Sequence, residues 1–563
     1  MKTVLTTLNA KYIHTSLALR WLYVANKERF DIVLKEYVLK EDIQKIANDL
    51  LVLNPDIIGM GIYIWNVNQS LALASILKAC KPSIILIAGG PEVSYEPEFF
   101  LNTGDIDFVI SGEGEYVLGE LLSALENHLS GDYTDIHVEC VSSQYHINTM
   151  IAKANLKKLA GLPSPYMLNE DSEERKNRIV YVETSRGCPY ACTYCLSSLE
   201  KSVRYFPPEY IFKNLEYLIE NNARQVKFLD RTFNLNQKHT RAIFDFLIAR
   251  YKPGLSFQFE IYADLLTDEL IDHLNDTVPP HYFRFEIGIQ STFEPAIRAI
   301  KRKQNFKILA AKIQKLIDGQ KIDLHLDLIA GLPFETYDQF KQSFNDVFAL
   351  RPKEIQLGFL KMLRGTSLRR DTELHGYQYN PHAPYEIIQN NYLTAAEIKR
   401  LHVIEHVLET YWNSGKFKRT MKALFDTTYL NRYFELFDAI GQYNDKRPLP
   451  NRTYRLEDIF LHLHHFLLSI NINLFEELRK DYYSCFKIRP HGFWENRIDK
   501  KLLKQWRNQI ANNKPFLQNY QLNRKIIEKQ TAIDFIDDKN LLLTILCADG
   551  SRETPLFLSY PII

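Results

Sequence analysis

Two successive series of short apolar runs, each followed by a stretch with apolar residues at helical spacing, constrain the fold of this chain more than any other feature. The first series predicts strands at residues 3–8, 32–38, 57–64, 83–88 and 108–111, with helical patterns such as 70–81 between them. Five strands separated by helices make a doubly wound, Rossmann-like parallel sheet. Ligands bind such sheets at the carboxyl ends of the strands, where this segment keeps residues 9–14, 63–66, Gly89-Gly90-Pro91 and Gly112-Glu113-Gly114-Glu115. The second series predicts strands at 179–185, 225–229, 256–262, 282–290, 323–329 and 354–360. Six βα units give a partial, open barrel, two units short of the closed eight. After about residue 376 the pattern changes to long helical stretches, such as 394–414 and 456–469, with only 541–547 strand-like. The expected division is an α/β domain at 1–140, a connection at 141–177, the barrel at 178–376 and a mainly helical domain at 377–563.

Composition excludes several classes. The 563 residues are too many for one small module, and 46% hydrophobic with 24% charged residues is ordinary globular usage. The 69 basic and 68 acidic side chains nearly cancel, so attraction to nucleic acid or membrane needs a local patch. Residues 485–530 hold 11 Lys and Arg against 3 Asp and Glu, with Phe493, Trp494 and Trp506 interleaved. That mixture suits RNA or another anion, and it suits a solvated helix face equally well. His462, His464 and His465 lie on a helical pattern without a nearby carboxylate and read as a packed or solvated face. No run reaches the roughly 20 apolar residues of a membrane helix, and the amino-terminal stretch lacks a secretory pattern, so a cytoplasmic protein is expected. Seven cysteines are too few for a disulfide scaffold, yet three fall within eight positions, as a metal site in a reducing compartment requires.

Those three stand in Cys188-Pro-Tyr-Ala-Cys192-Thr-Tyr-Cys195, directly after a predicted strand and the turn Arg186-Gly187. Thiolates spaced C-x3-C-x2-C can ligate three irons of a 4Fe–4S cube and leave the fourth iron open. The alternatives are a zinc site or buried cysteines. Zinc takes four ligands, commonly in two close pairs, and Cys80, Cys140, Cys485 and Cys547 are scattered.

The segment resembles the signature of the radical S-adenosylmethionine (SAM) enzymes, C-x3-C-x-aromatic-C, with Tyr194 as the aromatic. The resemblance implies that the methionine part of SAM chelates the open iron and that the reduced cluster cleaves its sulfonium to a 5′-deoxyadenosyl radical. It covers roughly residues 178–366. Phe228-Leu229-Asp230-Arg231-Thr232 resembles the segment that meets the SAM amino group, with Asp230 as the contact, although Arg231 stands where the family often has a second acid. Glu286-Ile-Gly288-Ile-Gln290-Ser291 resembles the segment facing the SAM ribose or carboxylate, Arg302 a carboxylate-binding arginine, and the run from Leu328 through Gly331-Leu332-Pro333 to Glu335-Thr336 the turn near the adenine.

The first domain is similar to cobalamin-binding domains. Gly89-Gly90-Pro91-Glu92-Val93-Ser94 has their G-G-x3-S form, which implies glycines beside the buried nucleotide tail and a hydrogen bond from Ser94. Gly112-Glu113-Gly114-Glu115 is also usual in cobalamin-binding radical SAM proteins. The cobalt-ligating D-x-H-x2-G motif is replaced by Lys11-Tyr12-Ile13-His14-Thr15-Ser16-Leu17, so the lower face of the corrin carries His14 or no histidine. The helical end looks like the uncharacterised domain that closes one branch of this family. Together these resemblances imply an enzyme using a 4Fe–4S cluster, SAM and cobalamin, with a flavodoxin or ferredoxin as reductant, that methylates an unactivated carbon. Radical rearrangement, ring contraction and a non-catalytic cobalamin or redox sensor are the alternatives. Methylthiolation needs further amino-terminal cysteines, and only Cys80 precedes Cys140.

Overall fold

Apolar runs without alternation, such as Ile85–Gly89, form strands buried on both faces, the pattern of parallel sheets covered by helices. The computed structural model describes residues 1–128, 133–447, 455–486, 499–535, 539–545 and 555–561. They form two compact units, Met1–Ile398 and Lys399–Ile563.

The first unit holds two sheets. Strands β1 (Lys2–Asn9), β2 (Asp31–Val38), β3 (Ile57–Gly61), β4 (Ile85–Gly89), β5 (Phe108–Ile110) and β6 (Val141–Ser143) run in the order β2-β1-β3-β4-β5-β6. The first five are parallel, as predicted, and β6 is antiparallel. The chain reverses its winding between β1 and β3, which opens a crevice beyond their carboxyl ends. Helix α1 (Leu17–Asn26) follows β1, capped by Ser16, whose hydroxyl accepts the Leu19 N–H at 3.3 Å. Strand β6 lies in the stretch expected to be a plain connection. Its three residues are too few for a periodicity signal, and their pairing with β5 supplies the order.

The second sheet contains β7 (Ile179–Val182), β8 (Gln225–Phe228), β9 (Ser256–Glu260), β10 (Phe283–Gln290), β11 (Asp323–Ala330) and β12 (Glu354–Phe359), all parallel and in sequence order. This is the open (β/α)6 barrel. Its edge strand β7 is covered by the loop after β1, where the Ile179 N–H donates to the Ile13 carbonyl at 2.7 Å and the Thr15 hydroxyl to the Ile179 carbonyl at 3.0 Å. Alternation along β10 and β11 sends Phe285, Ile287, Leu324, Leu326 and Leu328 outward under the helices and Arg284, Glu286, His325 and Asp327 inward. Helix α2 (Tyr337–Phe348) begins with a Thr336–Gln339 capping box.

Aromatic packing carries much of the outer core. The fully buried Phe259 ring lies 4.6 Å from those of Phe228 and Phe233, and 5.1 Å from that of Phe244. Phe259→Ala is expected to cost about 3–5 kcal/mol, because so enclosed a site cannot collapse onto the missing ring. The check is a chemical-denaturation midpoint recorded with a probe of the first unit.

The second unit is mainly helical, as expected, and ends in a three-stranded antiparallel sheet of β13 (Thr531–Phe535), β14 (Asn540–Ile545) and β15 (Leu556–Pro561). Only the middle strand was visible in the sequence, and Cys547 lies outside the described residues. His462 and His464 are buried: His462 Nε2 is 2.8 Å from Asn444 Oδ1, and His464 packs on Phe475. Trp506 is in the core, so it offers no stacking face to a nucleic acid, while Phe493 and Trp494 lie outside the described residues. Among the described residues no helix is long and apolar enough to cross a membrane.

Candidate functional site

The chemistry-bearing residues cluster at the carboxyl edges of both sheets. Beyond β7 the chain forms a two-residue antiparallel ribbon, Ser185 opposite Tyr205 and Arg186 opposite Arg204, which closes the neck of the loop carrying Cys188, Cys192 and Cys195. Gly187 opens this loop at φ +92°, where an added Cβ would lie 2.2 Å from the Ser202 carbonyl oxygen. Only glycine fits there. The Cys188 N–H donates to the Glu200 carbonyl at 2.9 Å, the Thr193 N–H to that of Ile300 at 3.1 Å, and the Cys195 N–H to that of Cys192 at 3.2 Å.

Cys188 and Cys192 are buried and Cys195 half-buried. Burial pushes the Cys192 thiol up, the hydrogen-bonded Arg302 guanidinium opposes this, and the Cys195 and Cys188 sulfurs add to the rise, so all three thiols share one electrostatic environment. Among the described residues no three His, Cys, Asp or Glu side chains converge on a single metal ion. A cube needs no such convergence, since each thiolate binds a different iron and the sulfurs surround the cluster. Three soft donors on one loop fit three irons of a 4Fe–4S cluster by their chemistry.

The inward rows of the open barrel are polar. Lys227, Gln258, Glu260, Arg284, Glu286, His325 and Asp327 are matched across neighbouring strands. Glu286, expected beside SAM, is held by Lys227 at 2.8 Å and by the Gln258 amide. Gln290 sits at φ +70° on a bulge of β10, with its Oε1 buried and without a hydrogen-bond partner. A strained, orphaned acceptor at a strand end marks a place for a ligand donor. Arg302 donates to the Gly288 carbonyl at 2.5 Å and lies over the Tyr262 ring at 4.7 Å, which sets it beside Cys192. Tyr194 is half-buried next to Arg302, and desolvation holds its hydroxyl well above the ordinary tyrosine range.

Asp230, expected beside the SAM amino group, has partners within the chain. Its carboxylate accepts the Thr184 N–H at 2.9 Å and the Thr184 and Ser185 hydroxyls at 2.6 Å each, so it buttresses the base of the cysteine loop. Burial raises its pKa to about 6. Sequence reading missed Glu260. Among the described residues this inward carboxylate at the end of β9 has no hydrogen-bond or ion-pair partner, and burial pushes its pKa up against the pull of the Arg231 and Lys227 charges. Its signal was present as the polar alternation Ser256, Gln258, Glu260.

At the edge of the first sheet, Gly90 has φ +114° with an added Cβ 2.5 Å from the Ile62 carbonyl oxygen, whereas a Cβ at Gly89 meets nothing within 4 Å. Gly89 therefore borders open space. Tyr12, Ile13 and Trp65 expose 47%, 41% and 48% of their surface at this same edge, an apolar margin suited to a large flat ring system. Ser94 does not point its proton outward. Its hydroxyl donates to the Gly90 carbonyl at 2.8 Å and accepts the Gly112 N–H at 3.0 Å, joining the two glycine turns. Gly112, at φ +93°, bridges to Ala152. Glu113 turns to the barrel and binds Arg186 and Arg204.

The two edges face each other. His14 Nδ1 lies 2.7 Å from the Tyr181 hydroxyl on β7, Trp21 Nε1 donates to Glu183 at 2.7 Å, and the buried Glu92 accepts from Arg364 at 3.1 Å and from the Tyr385 hydroxyl at 2.5 Å. These contacts dock the first sheet and its glycine turns against the barrel.

Comparison with known proteins agrees with this layout. A B12 binding domain model matches residues 3–122 and a radical SAM superfamily model residues 182–347. The chain thus carries a B12 binding domain followed by a radical SAM domain. A third model, a protein of unknown function (DUF4080), matches residues 373–543. The cobalamin-dependent radical SAM methyltransferase TokK of Streptomyces tokunonensis is 26% identical over 322 residues, 54% of this chain and 46% of TokK. The 2-(S-pantetheinyl)-carbapenam-3-carboxylate methyltransferase of Streptantibioticus cattleyicolor is 26% identical over 361 residues, 60% of this chain and 51% of that protein. The chain spans about half the length of these curated relatives. The structure of the cobalamin-dependent SAM radical enzyme OxsB with aqua-cobalamin bound aligns with a TM-score of 0.60 at 16% identity, covering 91% of this chain and 84% of that one, a likeness of fold. A radical SAM domain implies a 4Fe–4S cluster and SAM, and a B12 binding domain implies cobalamin.

Proposed function

We propose that the chain is a cobalamin-dependent radical SAM methyltransferase acting on an unactivated carbon. What supports this reading is the docking of the two sheets within one unit, His14 against Tyr181 and Glu92 against Arg364, with glycine turns at the edge of one and a three-cysteine loop at the edge of the other. Cys188, Cys192 and Cys195 would hold three irons. Gln290 supplies an unmet acceptor, Glu260 an unpaired carboxylate for the SAM ammonium, and Arg302, beside Cys192, a cation for the SAM carboxylate. Gly89 and Gly90 would admit the cobalamin tail. When bound, the cluster supplies an electron that breaks the sulfonium bond of SAM, and cobalamin carries a methyl group. The half-buried polar rows of the barrel orient the substrate, and the loops from both edges keep water from the reacting carbon. The expected setting is a reducing cytoplasm, with a flavodoxin or ferredoxin as electron donor.

The test is anaerobic incubation of cluster- and cobalamin-loaded protein with methyl-deuterated SAM, reductant and a cell-extract substrate pool. Methyl transfer gives 5′-deoxyadenosine, S-adenosylhomocysteine and a deuterated product. 5′-Deoxyadenosine alone assigns the protein to radical rearrangement, and absence of both nucleosides to a sensor. Glu260→Gln is expected to weaken SAM binding about tenfold, the loss of one charge-assisted bond, with cluster content unchanged. Equilibrium dialysis of cluster-loaded protein measures it.

A further inference from the structure

The neck of the cysteine loop carries a sequence conflict. Arg186 and Arg204 stand directly opposite on the two-residue ribbon, and like charges in that position repel. Each has a private carboxylate: Glu183 binds Arg186 in two-pronged fashion at 2.7 and 2.9 Å, and Glu200 binds Arg204. A single carboxylate bonds both. Glu113, from the first domain, lies 3.0 Å from Arg186 Nη1 through its Oε2, contacts Arg204 Nη2 through its Oε1, and also accepts the Ala154 N–H at 2.7 Å. Glu115 adds a contact to Arg186 at 2.7 Å. Arg186, Arg204, Glu113 and Glu115 are all largely out of solvent, where removing one partner leaves the others uncompensated. The ribbon has only two residue pairs, too few to hold its own register. Cys188 follows Arg186 by two residues, with its N–H already bound to Glu200, the same residue that holds Arg204.

We propose that Glu113 is a positioning residue for the cysteine loop, stapling both strands of its neck to the first domain, and that it makes no contact with cobalamin. The inference rests on the reading that this loop holds the cluster. Glu113 fixes the spacing of Arg186 and Arg204, and through them the point at which the backbone turns at Gly187 into Cys188.

The experiment uses the full chain with Glu113→Gln, Arg204→Gln and the double variant. Hydrogen exchange on cluster-free protein should show residues 185–205 exchanging about tenfold faster in Glu113→Gln, with the strands of both sheets unchanged. The double variant should be no faster than the quicker single one, because the two side chains act as one unit. In the loaded protein, Glu113→Gln should lose its cluster to a chelator about tenfold faster, the scale of an outer-shell partner. Hydroxocobalamin affinity should stay within about twofold, as the absence of a contact requires. Unchanged exchange at the neck, additive effects in the double variant, unchanged chelator sensitivity, or a large fall in cobalamin affinity each overturns the proposal. Wild-type protein that takes up no iron or sulfide defeats the underlying reading instead, and the exchange measurement still decides the role of Glu113 at the neck.

Discussion

Cys192→Ala is expected to abolish formation of 5′-deoxyadenosine. Outer-shell partners of a metal site account for about 10–100-fold in affinity or activity, and a direct ligand for more, so a fall of roughly a thousandfold or greater is expected. The side chain is buried beside Arg302 and shares its surroundings with Cys188 and Cys195, so no other thiol can take its place. Cys80, exposed on the first domain, provides the control: Cys80→Ala should leave product formation unchanged. Iron and sulfide per chain, with 5′-deoxyadenosine by mass spectrometry, check both variants. Full activity in Cys192→Ala contradicts the assignment of the loop.

Gly187→Ala should be nearly as damaging, although it removes no donor. Its φ of +92° penalises any L side chain by about 1–3 kcal/mol. The added methyl would also stand 2.2 Å from the Ser202 carbonyl oxygen, a backbone atom that cannot turn aside. A combined cost near 3 kcal/mol shifts the closed neck about a hundredfold toward open forms. Anaerobic reconstitution should then give little cluster, while the thermal transition of the first unit stays close to wild type. Normal cluster content in this variant would show that the neck geometry is irrelevant to loading.

The architecture was legible because its signals are local. All six barrel strands and the five parallel strands of the first sheet follow from apolar runs, and the cysteines and glycines announce themselves by type and spacing. The polar contacts were less legible, since a carboxylate or hydroxyl shows its partner only after the chain has docked. Asp230, expected to meet SAM, receives three bonds from Thr184 and Ser185 that the sequence did not announce. Ser94, expected to meet the cobalamin tail, joins Gly90 to Gly112, and Glu113, expected beside a cofactor, pairs with Arg186 and Arg204. Each of these residues sits where the sequence placed it, at a strand end. What differs is the bond made there, which depends on residues about 20 to 90 positions away. The sheet at the end of the second unit was half visible, because β13 and β15 lack the uniform apolar run of β14.

The central claim is that the three-cysteine loop holds an iron–sulfur cube with one iron open to SAM. Mössbauer spectroscopy of iron-57-loaded protein, with and without SAM, tests it most directly. The account predicts a cluster spectrum in which one of four irons changes its parameters when SAM is added, as a fourth, unligated iron should. A spectrum that SAM leaves unaltered, or a purified protein carrying zinc and no iron–sulfur signal, contradicts it.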